Sequence, residues 1–396
     1  MREKNSLYPR FPFSLPLLLD GATGTNLSKA GMPSGVMPEK WILDHSDVIL
    51  SLQKEYARFS DILYAPTFGA NRPTMERHGE RDVAGFNRRL SALTREAAGE
   101  NRLVAGDLSP TGLILAPYGD TDFDTVAAVY AEQAKALNDV VDLFVSETNL
   151  SLAEACAAVD GIRQVSDKPV FVTVTVDRNG RTMSGDKADA CLLTLADRGV
   201  AAFGLNCSCG PESMSRFLLP LFPLSVALGV PLIAKPNAGS PQTDADGHTS
   251  FSLSPDDFAR DAGTLLSGGI AILGGCCGSE PAHIAALRKV MDGFGGIFPL
   301  PAEIPDLSRT ICTNTTISEV RDAETLAPIP VNDDMADDAC DMGEENGYAC
   351  ILLQTEEEAE ELLHAVPYIP YPLVITGGKK ATEFFRRKYP GKILIR

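Results

Sequence analysis

The chain has 396 residues, 44% of them hydrophobic, and carries 35 basic against 53 acidic side chains, a formal net charge of −18 at pH 7. That length holds one large domain and a smaller one, and that charge argues against nucleic acid and anionic membrane as partners. No apolar run approaches the ~20 residues of a membrane span. Nine cysteines, without the spacing of a small disulfide scaffold, fit a reducing cytoplasm with metal-binding and free thiols.

Residues 1–14 read as a polar arm broken by prolines, without the layout of a signal peptide. From Leu15 onward, apolar strands alternate with amphipathic helical stretches. Strands are predicted from Leu17 to Gly21, Asp61 to Ala65, Leu103 to Asp107 and Leu143 to Thr148, then from Val170 to Val174, Ala202 to Asn206, Pro231 to Lys235 and Gly269 to Leu273. Helical spacing appears between them, as in Val48, Leu52, Tyr56 and Phe59, or Val126, Val129, Tyr130, Ala134 and Leu137. Eight strand–helix units in about 280 residues is the count for an α/β fold of the (β/α)8 TIM-barrel type. A doubly wound sheet is the alternative, but no Gly-x-Gly-x-x-Gly turn follows the first strand, and Gly21-Ala22-Thr23-Gly24-Thr25 lacks a phosphate-loop lysine.

A barrel also gathers the chemistry. Asp20, Thr67, Ser109, Glu147, Cys207, Asn237, Cys276 and Cys277 all fall at C-terminal strand ends, the rim where barrel active sites form. Gly274-Gly275-Cys276-Cys277-Gly278-Ser279 is a strand-to-helix turn, with Ser279 as candidate N-cap and Pro281 in the first turn. The helix N-terminus favours thiolate there. Leu205-Asn206-Cys207-Ser208-Cys209-Gly210-Pro211 repeats the pattern. Buried structural thiols or a strained vicinal disulfide are the plainer readings. Three or four thiolates drawn from two such turns suit Zn2+, and three sulfurs with one open position is the catalytic arrangement. His78, His248 and His283 have no second ligand spaced near them and read as surface or loop residues.

Past residue 300 the periodicity weakens. The stretch 301–347, strongly acidic from Val331 onward, reads as a mobile linker between a barrel over 1–300 and a small βαβαβ unit over 348–396. A chain ending near Leu300 is expected to fold alone.

With these residues in place, about 15–295 resembles the homocysteine S-methyltransferase family, most closely the homocysteine-binding barrels of cobalamin-dependent methionine synthases. The resemblance rests on Asp20 to Thr25, Thr67 to Asn71, Ser109 to Gly112, Glu147-Thr148, Asn206-Cys207, Pro236 to Gly239 and Gly274 to Gly278. It implies a methyltransferase with zinc on Cys207, Cys276 and Cys277, leaving Cys209 aside, and with Asn237 close to the metal. It implies Asp20 and Glu147 as the clamp for the homocysteine ammonium. Amides near Gly21 and Ala22, with the Ser109 or Thr67 hydroxyls, would hold the carboxylate. The chain shows no Asp-x-His-x-x-Gly segment of a corrinoid module, so methylcobalamin supplied in trans on a separate corrinoid protein is the expected donor. A stand-alone enzyme using S-methylmethionine or another small donor, a different thiol acceptor, and a non-catalytic zinc-holding docking subunit remain as alternatives.

Overall fold

The computed structural model describes residues 7–243 and 249–396; His248 lies outside them. Eight parallel strands form the central sheet: β1 (Leu17–Leu18), β2 (Ile62–Tyr64), β3 (Leu103–Leu108), β4 (Leu143–Asn149), β5 (Val170–Val174), β6 (Ala202–Asn206), β7 (Leu232–Lys235) and β8 (Ile272–Leu273). They neighbour one another in the order β1-β8-β7-β6-β5-β4-β3-β2. A parallel bridge between Leu19 and Ile62 joins the two ends, giving a nearly closed TIM barrel with its helices outside. The expected fold class is therefore the observed one.

Side chains alternate across each strand, and this sorts the interior into layers. Leu17, Ile62, Ala105, Leu143, Val145, Phe171, Ala202, Ile233 and Ile272 belong to one buried apolar cluster inside the barrel. Two residues further along their strands stand Tyr64, Asp107, Glu147, Thr173 and Lys235, all buried. The polar layer thus rests on an apolar floor.

The floor is completed by the described part of the N-terminal arm, residues 7–14, which is not the polar extension its prolines suggested. Tyr8 and Phe11 are buried in the same cluster. The Phe11 ring lies 5.8 Å from that of Phe171, and the Tyr8 hydroxyl is 2.9 Å from that of Ser225. Burial of two aromatic side chains outweighs the exposed Pro9 between them.

The tail also differs from expectation. The acidic stretch is a helix, Met335–Asn346, whose Met335 and Ala339 are buried in the tail's core. Its charges lie on the outer face, so composition alone hid an amphipathic pattern. Four parallel strands, β9 (Ile329–Pro330), β10 (Ala349–Leu353), β11 (Leu373–Gly377) and β12 (Leu394–Ile395), form the tail sheet in that order. The tail packs on the barrel. Cys312 is buried with Ala190 and Leu193 of a barrel helix, and the Arg198 guanidinium donates to the carbonyls of Arg387 and Tyr389 at 2.8 Å each. Within 301–347, Cys312 packs against the barrel and the helix Met335–Asn346 belongs to the tail's own core. Among the described residues no helix is long and apolar enough to cross a membrane.

Candidate active site at the carboxyl rim

Three turns, after β6, β7 and β8, are laced together by their backbones. The Cys207 amide donates to Lys235 O, the Cys276 amide to Pro236 O and the Ala238 amide to Cys277 O, at 3.1, 2.7 and 2.9 Å. Cys207 and Ser208 both adopt left-handed backbone, with φ of 60° and 62°, a conformation uncommon outside glycine and concentrated at functional sites. Gly278 has φ +79°, and a Cβ on Gly275 would stand 2.3 Å from Ser279 Oγ, so the Cys-Cys turn needs glycine on both sides. Ser279 is not the N-cap of the helix Pro281–Gly293. Glu280 holds that place in a capping box with a buried His283, which is thus structural rather than a loop residue. The Ser279 hydroxyl instead donates to Cys276 O at 2.7 Å and accepts from the Ala22 amide at 3.0 Å.

The result is a cluster of Cys207, Cys276 and Cys277 whose sulfurs all lie within 4.8 Å of one another. Cys207 and Cys277 are 4.0 Å apart. Tetrahedral zinc with Zn–S bonds of about 2.3 Å sets its sulfurs roughly 3.8 Å apart, so the donors present fit that ion. Hydrogen bonds from Cys276 and Cys277 hold the Cys207 thiol far below its usual range, and the same sharing pushes Cys276 and Cys277 up. Cys209 stays outside the cluster, its thiol pushed up to about 11 by burial. Asn237 contributes to holding the Cys207 thiol low, while its Oδ1 is buried without a hydrogen-bond partner. Asn206 donates toward Cys276 Sγ at 4.0 Å and accepts from Thr173 at 2.8 Å and from the Thr148 amide at 2.9 Å, tying the β4 turn to β6.

Beneath the sulfurs sits a charged layer. Lys235 Nζ is 3.1 Å from Glu147 Oε2, 3.9 Å from Asp20 Oδ1 and 4.0 Å from the centre of the Tyr64 ring. Its side chain is only 5% exposed. Burial would depress its ammonium, but Glu147 and Asp20 outweigh it and raise the pKa well above the ordinary value. Asp20 accepts from the Tyr64 amide at 2.8 Å, and burial pushes its carboxyl up to about 7. Asp107 is also raised, by burial first and then by Glu147. Oδ1 of Asp20 and Oδ1 of Asp107 are buried without hydrogen-bond partners.

The structure therefore brings Asp20, Glu147, Asn237 and the three cysteines to one pocket. It also shows three of the groups expected to hold a carboxylate bonded within the protein. The Ala22 amide goes to Ser279. The Thr67 hydroxyl donates to Asp107 O at 2.8 Å, stapling the β2 turn to β3. The Ser109 hydroxyl donates to Pro110 O at 3.1 Å and accepts from Asn71 at 3.2 Å. Gly21 approaches Tyr56 so closely that a Cβ would meet its hydroxyl at 2.5 Å, a packing reason for this glycine. Sequence reasoning missed Lys235 and Asp107. Counting by two from the inward residues Ile233 and Ala105 finds both.

A profile of the family described as homocysteine S-methyltransferase matches residues 17–291, and the chain belongs to that family. Among curated proteins it is 33% identical over 302 residues to the methionine synthase of Mycobacterium leprae (strain TN), covering 69% of this chain and 24% of that protein. The methionine synthase of Mycobacterium tuberculosis (strain ATCC 25618 / H37Rv) is 33% identical over 289 residues, with 67% and 24% covered. The chain thus spans about a quarter of the length of these relatives. The oxidized form of the homocysteine methyltransferase MmuM from Escherichia coli has a similar fold, with TM-score 0.58 and 23% identity over 69% of this chain and 95% of that one. Its metallated form gives 0.57 and 24%, with the same coverage.

Proposed function

We propose that this barrel transfers a methyl group to the thiol of homocysteine, giving methionine, with Zn2+ on Cys207, Cys276 and Cys277 and with methylcobalamin on a separate corrinoid protein as donor. The observation that carries the reading is three sulfurs gathered directly above a buried acid cluster. Zinc held there would supply acidification of the incoming thiol at neutral pH. The chain's own residues do the rest. Asp20 and Glu147 offer carboxylate to the ammonium, and Asn237 lies against the sulfur cluster with a free acceptor. The turns after β6 and β8 fix the sulfur atoms in place. Orienting a nucleophile in this way removes much of the entropic barrier to an in-line displacement.

The match to proteins named methionine synthase supports methionine as product. Exposed Phe68, Ile114, Tyr118 and Met183 follow β2, β3 and β5 on the same rim. Exposed apolar side chains on this rim suit a large donor arriving on another protein more than a small sulfonium compound enclosed by a lid. The test is to offer the zinc-loaded protein homocysteine with methylcobalamin, S-methylmethionine, S-adenosylmethionine or betaine and to measure methionine. Formation from methylcobalamin is expected. Formation from S-methylmethionine alone would overturn the donor and leave the acceptor standing. No methionine from any donor would favour a zinc-holding docking role.

A further inference from the structure

The rim loop that follows β5, residues 175–187, is held at both ends. At its start the Val176 amide donates to Ser208 Oγ at 3.1 Å, and the Thr175 and Ser208 hydroxyls share a hydrogen bond, next in the chain to Cys207. Near its end lies Asp186, a carboxylate only 3% exposed. Its Oδ2 accepts from the Thr182 and Ser184 hydroxyls, at 2.7 and 3.1 Å, and from the Leu152 amide at 2.7 Å. Thr182 and Ser184 flank Met183, which is 79% exposed. The other oxygen of Asp186 is met by the tail. Asn314 Nδ2 donates to Oδ1 at 2.8 Å, and the Lys187 amide donates to Asn314 O at 2.9 Å. Asn314 sits in the turn of an antiparallel pair, Thr310–Cys312 with Ile317–Glu319. Thr313 Oγ1 accepts the amides of Thr315 and Thr316 at 3.1 and 2.9 Å. That turn thus closes on itself, and the Asn314 side chain is spent on the barrel.

From this we infer that Asn314 is a positioning residue for the methyl donor: through Asp186, the tail sets the turn that presents Met183 on the rim where the donor arrives. The inference rests on the donor reading above and gives the tail a part in it. A buried carboxylate keeps its place while its acceptor sites are filled, and an unfilled one costs its desolvation. With Asn314 gone, Asp186 Oδ1 loses the tail's bond and draws water or turns away. The Thr182 and Ser184 hydroxyls then lose their anchor, and the turn between them opens locally. These bonds run from the tail to the rim, and Asp20, Glu147 and Lys235 take no part in them. The effect therefore falls on the methyl donor and spares the acceptor.

The test reads amide hydrogen exchange and kinetics on the same zinc-loaded full chain, with free methylcobalamin as the donor probe. The Thr182 and Ser184 amides donate to Asp186 O and Leu150 O. In Asn314→Ala their exchange should quicken about tenfold, the worth of a hydrogen bond to a charged group. KM for methylcobalamin should rise about threefold or more, while homocysteine Kd and zinc content stay as in wild type. Asn314→Asp sets two carboxylates against each other and should be worse on both counts. Adding Asp186→Asn to it should bring both back toward wild type, because the hydrogen-bond donor and acceptor have then changed sides. A merely structural link would lower the melting temperature and leave KM for methylcobalamin alone. That result, or a homocysteine Kd that moves as far as that KM, overturns the inference. Should Asn314→Ala fail to fold, Asn314→Ser is read in the same way. Wild type making no methionine from methylcobalamin would remove the donor reading and this inference with it. Normal turnover by wild type with an unchanged variant would remove this inference alone.

Discussion

The Lys235 ammonium stands 3.1 Å from the Glu147 carboxylate, across the barrel from β7 to β4 and under the sulfurs of the β6 and β8 turns. A buried pair of this kind loses solvation on both sides, so its neighbours decide what it does. Here those neighbours are two more acids and the face of Tyr64.

Glu147→Gln should retain zinc, since no cysteine depends on it for position. Homocysteine should bind more weakly by about 1.5–3 kcal/mol, the range for a hydrogen bond to a charged group, or roughly 10- to 100-fold. Calorimetric titration with metal analysis of the same sample checks both halves.

Cys207→Ala, Cys276→Ala and Cys277→Ala should each lose most of the bound zinc, because each removes one of three sulfurs within 4.8 Å of one another. Cys209→Ala should keep it. Full zinc occupancy in any of the first three would sink the assignment.

Asp20 gives a pH signature. Its carboxyl is raised from 3.8 to about 7 by burial, so the folded chain holds that proton more tightly than the unfolded one. Its contribution to stability therefore falls as pH rises from about 4 to 7, and the full cost is present above that. Asp20→Asn should be more stable than wild type at pH 8, by up to about 4 kcal/mol at roughly 1.4 kcal/mol per pH unit, with the gain fading toward pH 4. Urea unfolding at several pH values reads the difference. The same variant should bind homocysteine poorly, so stability and binding move in opposite directions.

Cutting the chain after Leu300 removes the cover over Ala190 and Leu193 and the carbonyls that Arg198 binds. The shortened barrel should bind a dye specific for exposed apolar surface and melt at a lower temperature than the full chain. Unchanged melting would mean that the tail rests on the barrel without supporting it.

The barrel was legible because each strand is a short apolar run ending in a polar or glycine-rich turn, and eight such runs leave few alternatives. The cysteines were legible because glycines bracket them. Lys235 was not, since a lysine closing an apolar strand reads as the place where the chain reaches solvent. Only the inward phase of Ile233 turns it into the barrel. The helix Met335–Asn346 was hidden for the opposite reason. Its acidic residues dominate composition, while burial depends on Met335, Ala339 and Gly343. The arm was misread because prolines drew attention away from Tyr8 and Phe11.

That arm has a kinetic consequence. With Tyr8 and Phe11 seated beneath Phe171, the described residues make a vessel stoppered at one end. On the proposed reading both reactants would use the same mouth, with the acid layer offered to the amino acid deeper than the sulfurs. The thiol is then expected to enter before the donor docks and the product to leave after it withdraws, an order set by the shape of the container rather than by any moving part.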